Sequence, residues 1–212
     1  MRTRVAGEWL LALSVCLLCS NVLQAQPLYS KNLAPLSGLF GFPALREAAT
    51  LPVGQFDGAL FASVTNIYSV ADNARESVNF DGETQRITVR LRYGLAAEWE
   101  LEGELPWLQH HGGQLDHPIE QWHDLWGLPN GGREKVPHGL IDFSYQSPVA
   151  SFAMAESGDG WGDLNLALVR QVWRDESAWL SARAGVKLAT GNERQLRGSG
   201  SEDYYLSVNY SD

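Results

Sequence analysis

Cysteine is nearly absent from these 212 residues: there are two, Cys16 and Cys19. Both fall in an opening stretch that reads as a secretory signal peptide. Arg2 and Arg4 give it a positive start, "WLLALSVCLL" (9–18) is a short apolar run, and Ala25 is a small residue suited to cleavage. Removal of residues 1–25 leaves a chain without thiols, which excludes disulfides and thiol chemistry. A lipid anchor on either cysteine is not expected, because Val15 and Leu18 stand where a small residue belongs.

Positive charge is scarce too. Lys and Arg number 16 against 25 Asp and Glu, for a net charge of −9. The leader carries Arg2, Arg4 and Glu8, one net positive charge, so the mature chain moves from −9 to −10. Nucleic acid is excluded as a partner, since phosphate binding needs a basic surface. Beyond the leader no apolar run is long enough for a membrane helix. If the chain enters a bilayer, it does so with strands. Long helices and solenoid-type repeats are missing as well.

What the sequence has is period-2 alternation. In "QRITVRLRYGLAAEWELEGELPWL" (85–108), Arg86, Arg90 and Arg92 alternate with Ile87, Val89, Leu91 and Tyr93. Glu98, Glu100, Glu102 and Glu104 then alternate with Trp99, Leu101 and Leu105. Folded back around "GLAA", the two halves set acids against bases on one face, a favourable cross-strand pairing, and leave the other face apolar. Pairing Tyr93 with Ala97 would place Arg92 opposite Glu98, Arg90 opposite Glu100 and Arg86 opposite Glu104. A slide of two residues would place Arg90 opposite Glu102.

The same alternation predicts strands over 56–68, 83–93, 98–107, 162–173, 178–190 and 203–210, with a shorter piece over 140–147. Most match the roughly 9–11 residues of a membrane-crossing strand. "GLAA" and "RDES" are short connections, whereas 69–82, 108–161 and 191–202 are long. Outer-membrane barrels alternate tight periplasmic turns with long outer loops. Parity then assigns 140–147 to the loop 108–161, as part of a hairpin outside the bilayer. Tyr93, Trp99, Trp107, Trp161, Trp173 and Trp179 lie near strand ends, as interfacial aromatics do. Residues 26–55, rich in Pro, Gly and small side chains, read as an irregular segment.

The expected fold is therefore all-β: a transmembrane antiparallel β-barrel with long extracellular loops. The competing reading is a secreted soluble β-sandwich, whose charged face is solvated and whose apolar face is covered by a second layer. Six membrane strands fall short of the roughly eight in the smallest single-chain barrels, and "EDYYLSVNYSD" stops in mid-strand. The barrel is therefore expected to be incomplete at its C-terminus.

"PLYSKNLAPL", "DGET", "LRYGLAAEWELEGELPWL", "IEQWHDLWGLPNGGR" and "GDGWGDLNL" resemble an uncharacterised family of proteobacterial proteins, a domain of unknown function predicted to sit in the outer membrane. The resemblance covers most of the mature chain, with "WHDLWGLPNGGR" its most specific part. "VKLATGN" resembles a Lys-Leu-Pro-Thr-Gly-Asp segment at the rim of transport-type barrels, with Ala189 and Asn192 in place of the proline and the acid. These likenesses imply a channel or transporter type of barrel and bring no catalytic residues.

All five histidines, His110, His111, His117, His123 and His138, lie in one segment. Within it "HPIEQWHDLWG" reads as a short helix, with Pro118 in its first turn and Gly127 and Pro129 stopping it. His117, Glu120, Gln121 and Asp124 share a face at helical spacing. Such a set can hold a divalent metal, but the spacing is not a tight motif. The preferred reading is a polar loop face, with Trp122, Asp124, Trp126 and Arg133 as rim residues and no metal or other cofactor. Catalysis is not expected. Ser144 and Ser181 lie on polar faces, no nucleophile elbow occurs, and "GSGS" (198–201) reads as a flexible loop tip. The expected role is passage or binding of small solutes in the cell outer membrane. There the lipid meets the apolar face, and Arg86, Arg90, Arg92, Glu98, Glu100, Glu102 and Glu104 line the lumen. The alternative within that class is a non-conducting structural or interaction barrel.

Overall fold

A computed structural model describes residues 29–212; the leader 1–25 lies outside them. An irregular stretch over residues 29–55 leads into β1 (Phe56–Asp72), β2 (Ser77–Ala96) and β3 (Trp99–His111). Helix α1 (Asp116–Trp126) and the hairpin β4 (Asp142–Gln146) and β5 (Ser151–Met154) follow. The chain ends with β6 (Gly158–Trp161), β7 (Leu164–Arg174), β8 (Trp179–Leu188) and β9 (Asp203–Ser211).

All nine strands pair antiparallel in one sheet. Its main path is the meander β1-β2-β3-β7-β8-β9. β6 continues the line of β7 along the far half of β3, pairing Trp107 with Trp161. The hairpin β4–β5 lies against the far end of β2, where Phe80 pairs with Phe143. The sheet does not close: β1 and β9 remain the edges of the meander, and β5 is the edge of its side branch.

The long connection expected over 69–82 is instead mostly strand. β1 and β2 stay paired from Phe56↔Tyr93 out to Asp72↔Ser77. Their turn is held by Asn73, whose Oδ1 accepts from the amides of Arg75 (2.9 Å) and Glu76 (3.1 Å). The apolar alternation fades there, but the backbone ladder continues without it. Pairing satisfies main-chain groups whatever the side chains are.

The expected register also shifts. Arg90 stands opposite Glu104 and Arg92 opposite Glu102, with an irregularity between Gly94 and Ala96. The turn consists of Ala97 and Glu98 alone, and Glu98 takes a left-handed φ of 66°. The tighter turn alone would slide the partner strand by an odd number of residues, and the extra residue Leu95 makes the shift even. Parity survives, so acids still share a face with bases.

Burial is inverted relative to a water-soluble sheet. On one face Glu100 and Ser181 are 0% exposed, Lys187 2% and Arg183 3%. On the other, Leu206 is 85% exposed, Leu60 73% and Val208 72%. The one cluster of buried apolar side chains among the described residues is small. Phe80, Phe143, Met154 and Leu196 meet at the long-loop end, where β2, β4 and β5 join.

Candidate functional site

The charged face is buried because residues 29–55 lie along it. This segment touches strands from one edge of the sheet to the other. Tyr29 stacks on Phe61 of β1 at 4.0 Å between ring centroids. The amide of Gly41 donates to Asp203 Oδ2 of β9 (2.9 Å), and that of Thr50 to Gln171 Oε1 of β7 (3.3 Å). Near its end the segment passes so close to β2 that a Cβ at Gly94 would collide with the Pro52 carbonyl oxygen.

Arg46 is the centre of this docking. One Nη donates to Glu100 Oε1 (2.7 Å) and Glu102 Oε2 (2.8 Å) of β3. Its remaining donors reach the carbonyls of Glu47 and Ala49. Glu100 also accepts a two-pronged contact from Arg92, at 2.9 and 2.8 Å, and the amide of Leu51 at 2.9 Å. Glu102 accepts from Arg183, which also donates to the Ala44 carbonyl (3.4 Å). Three guanidinium groups thus enclose two buried carboxylates. Charges taken out of water are tolerable only when paired and hydrogen-bonded in this way.

The other expected ladder residues are distributed unevenly. Arg90 lies over the Phe61 ring at 4.9 Å and is 3.9 Å from Asp57, while its Nε has no partner. Glu104 accepts from the Tyr29 hydroxyl at 3.4 Å. Arg86 stands opposite Leu108, not Glu104, and its Nε donates to Thr88 Oγ1 at 3.4 Å. Glu98 does not belong to the ladder: it sits exposed in the β2–β3 turn.

Two groups of the docked segment carry shifted acidities. Burial, helped by the nearby Glu104 carboxylate, pushes the Tyr29 phenol up to about 12. Burial first and the neighbouring Arg86 next hold the Lys31 ammonium down at about 8.

A second polar cluster forms around Lys187 of β8. Its Nζ donates to Asp163 Oδ2 (2.7 Å), Ser199 Oγ (2.6 Å) and the Ser201 carbonyl (2.7 Å). "GSGS" is therefore not a loose loop tip; it wraps an ammonium that would otherwise be buried without enough acceptors. In "VKLATGN", Thr190 Oγ1 donates to the Gly162 carbonyl (3.0 Å) and Asp163 Oδ1 accepts from the Gly191 amide (2.8 Å). These bonds tie the exit of β8 to the entry of β7. His110 belongs to β3, 1% exposed. Its Nε2 faces the Leu196 carbonyl (3.2 Å) and its Nδ1 the Thr84 hydroxyl (2.8 Å). A carbonyl only accepts, so Nε2 carries a proton. Ser181 Oγ is buried with no hydrogen-bond partner, so no base is in place to activate it.

The loop residues divide. Arg133 is buried, 2.8 Å from Asp116 and 3.3 Å from Asp81, and lies over the Tyr68 ring at 5.5 Å. It locks the loop to β1 and β2. Trp122 and Trp126 pair at 5.6 Å between centroids yet stay 58% and 62% exposed, so they do not pack on the sheet. Asp124 accepts from Asn130 at 3.3 Å.

Over residues 11–212 the sequence matches a family described as a protein of unknown function, DUF3187. The chain belongs to the DUF3187 family. No curated protein and no solved structure matches it. For this DUF3187 member the buried charge network, the segment that seals it and the Lys187 cluster are where function has to be sought. Arg46 and Lys31 were hidden from sequence reasoning because their segment has no periodicity. The available signal was that Lys31, Arg46 and Glu47 are the only charges between Tyr29 and Gln55.

Proposed function

We propose that this chain is the wall of an outer-membrane β-barrel whose polar side binds or passes small polar solutes. One observation carries the reading: the sheet buries its charges and exposes its apolar side chains. Among the described residues nothing covers Leu60, Val64, Leu91, Leu101, Leu206 and Val208. In water that surface would far exceed the apolar patches a soluble monomer tolerates. In a bilayer it meets lipid, and the inner strands β2, β3, β7 and β8 are paired on both sides. The edges β1 and β9 need further strands or another copy to close the wall.

Aromatic placement supports it. Phe56, Tyr93, Trp99, Trp173 and Tyr210 gather near the short turns; Trp107, Trp161 and Tyr204 lie toward the long loops. Trp99 and Trp107 are eight residues apart, about 27 Å along a strand. That is of the order of the roughly 25 Å apolar band of outer-membrane barrels. A non-conducting barrel has its own support in residues 29–55, which occupy the polar side.

The test is fractionation followed by gel mobility with and without boiling. Expected is recovery in the outer membrane and a band that shifts on heating, because a folded barrel resists cold detergent. A soluble periplasmic protein with no shift overturns the reading. Conductance in planar bilayers then separates a channel from a sealed barrel.

A further inference from the structure

The loop between β3 and β4 assembles a group that helical spacing alone does not. His117 and Glu120 stand three residues apart on α1 and so share a face. Arg133 and Asp116 fold the returning chain so that His138 meets that face. His138 Nε2 is 2.9 Å from Glu120 Oε2, and the His117 and His138 ring centroids are 6.0 Å apart. One ligand atom from each of the three side chains lies within 4.8 Å of the others. Asp124, which shares the helix face by spacing, turns instead to Asn130.

Two features distinguish this from a chance surface contact. First, Glu120 Oε1 is buried and has no hydrogen-bond partner. A carboxylate oxygen removed from water without a donor is costly, and a cation is the partner that would compensate it. Second, the two halves of the group are fixed by bonds that do not involve the ligands. Asp116, next to His117, accepts from the amide of Gly139, next to His138, at 2.8 Å. The same carboxylate binds Asn66 Nδ2 at 2.9 Å and Arg133 at 2.8 Å. The scaffold is therefore in place before any ion arrives, as second-layer bonds are in metal sites.

We propose that His117, Glu120 and His138 form a binding site for a divalent transition metal of the zinc or nickel type. Two imidazoles and a carboxylate suit these borderline ions, and magnesium and calcium, which prefer all-oxygen sets, are disfavoured. Ligands about 2.0–2.2 Å from zinc stand about 3.3 Å from each other in a tetrahedron. The widest separation must contract by up to about 1.5 Å, and both histidines are exposed. Gln121 Nε2, 3.0 Å from His117 Nε2, is exposed and swings away or bonds a ligand from outside. The fourth position stays open to water. The site takes the ion as a ligand; it does not depend on whether the sheet lies in a bilayer.

The test uses the full chain without a polyhistidine tag, folded in detergent and stripped with chelator. Zn²⁺ and Ni²⁺ are titrated calorimetrically, and Co²⁺ is added to read its visible d–d absorption. Expected is one equivalent bound, with affinity falling at least about tenfold in H117A, H138A and E120Q. H123A is expected to bind like the parent, because His123 Nδ1 is engaged with Asn130 at 2.9 Å. Unchanged heat-shift behaviour or circular dichroism certifies that each variant folds. Absence of stoichiometric uptake by the parent, or uptake that survives loss of both His117 and His138, overturns the proposal. A soluble chain gives the same readouts, so failure of the barrel reading and failure of the metal site remain distinguishable.

Discussion

At the residue scale, the sealed face sets a pH window for its own seal. Lys31 has a seated pKa of about 8, below the ordinary 10.5. Below pH 8 the ammonium is charged whether docked or free, and docking bears the full cost of burying it. As pH rises from 8 toward 10.5 the docked amine loses its proton first, and that cost disappears. Tyr29 has the opposite sign in a later window. Its seated pKa of about 12, above 10.0, means that docking favours the protonated phenol. That contribution is whole below pH 10 and is lost as pH climbs to 12. Protease protection of residues 29–55 is therefore expected to rise from pH 8 to about 10 and then fall. K31M should remove the rise and Y29F the fall, as measured by cleavage rates on the folded chain.

At the element scale, each strand has one side suited to water and charge and one suited to lipid. Leu101 and Glu102 are adjacent on β3, yet Leu101 is 45% exposed and Glu102 3%. A charge at Leu91, which is 46% exposed and stands opposite Gly103 midway between Trp99 and Trp107, should cost about 2–4 kcal/mol at the bilayer midplane. L91R is expected to lower the yield of heat-modifiable protein folded into liposomes, while solubility in detergent persists. If that face met water instead, the substitution would be neutral or helpful. The alternation that defines these faces was legible over 83–93 and 98–107, because a pleated strand turns successive side chains to opposite sides. Register was not. It depends on where the turn closes, and a left-handed Glu98 beside an irregularity at Leu95 has no periodic signature. The extra pairs beyond Tyr68 were hidden for a related reason: they rest on backbone bonds and on Asn73, not on amphipathic side chains.

At the scale of the whole molecule, an open six-strand meander and an irregular segment become one unit through Arg46. Its guanidinium joins residues 29–55 to two carboxylates of β3. Removing one partner from a buried ion network typically costs about 3–5 kcal/mol, because the remaining charges lose their compensation. R46A is expected to speed proteolysis within 29–55 and, for a conducting barrel, to raise conductance in planar bilayers by unsealing the polar face. Faster cleavage with unchanged conductance would favour the non-conducting reading.

By itself the sequence determined that strands dominate and that each has an acidic or basic side and an apolar side. Both follow from a period of two, which is local. Tertiary structure decided which face is buried, because it laid residues 29–55 on the charged side and left the apolar side bare. It also decided that Arg92 binds Glu100 diagonally while Glu102 is shared by Arg46 and Arg183. And it decided that His138 meets His117 and Glu120 across a loop stapled by Asp116 and Arg133. These pairings join residues far apart in the chain. Their cause is the folded backbone and the need of each buried charge for a partner, neither of which has a period that can be read along a strand.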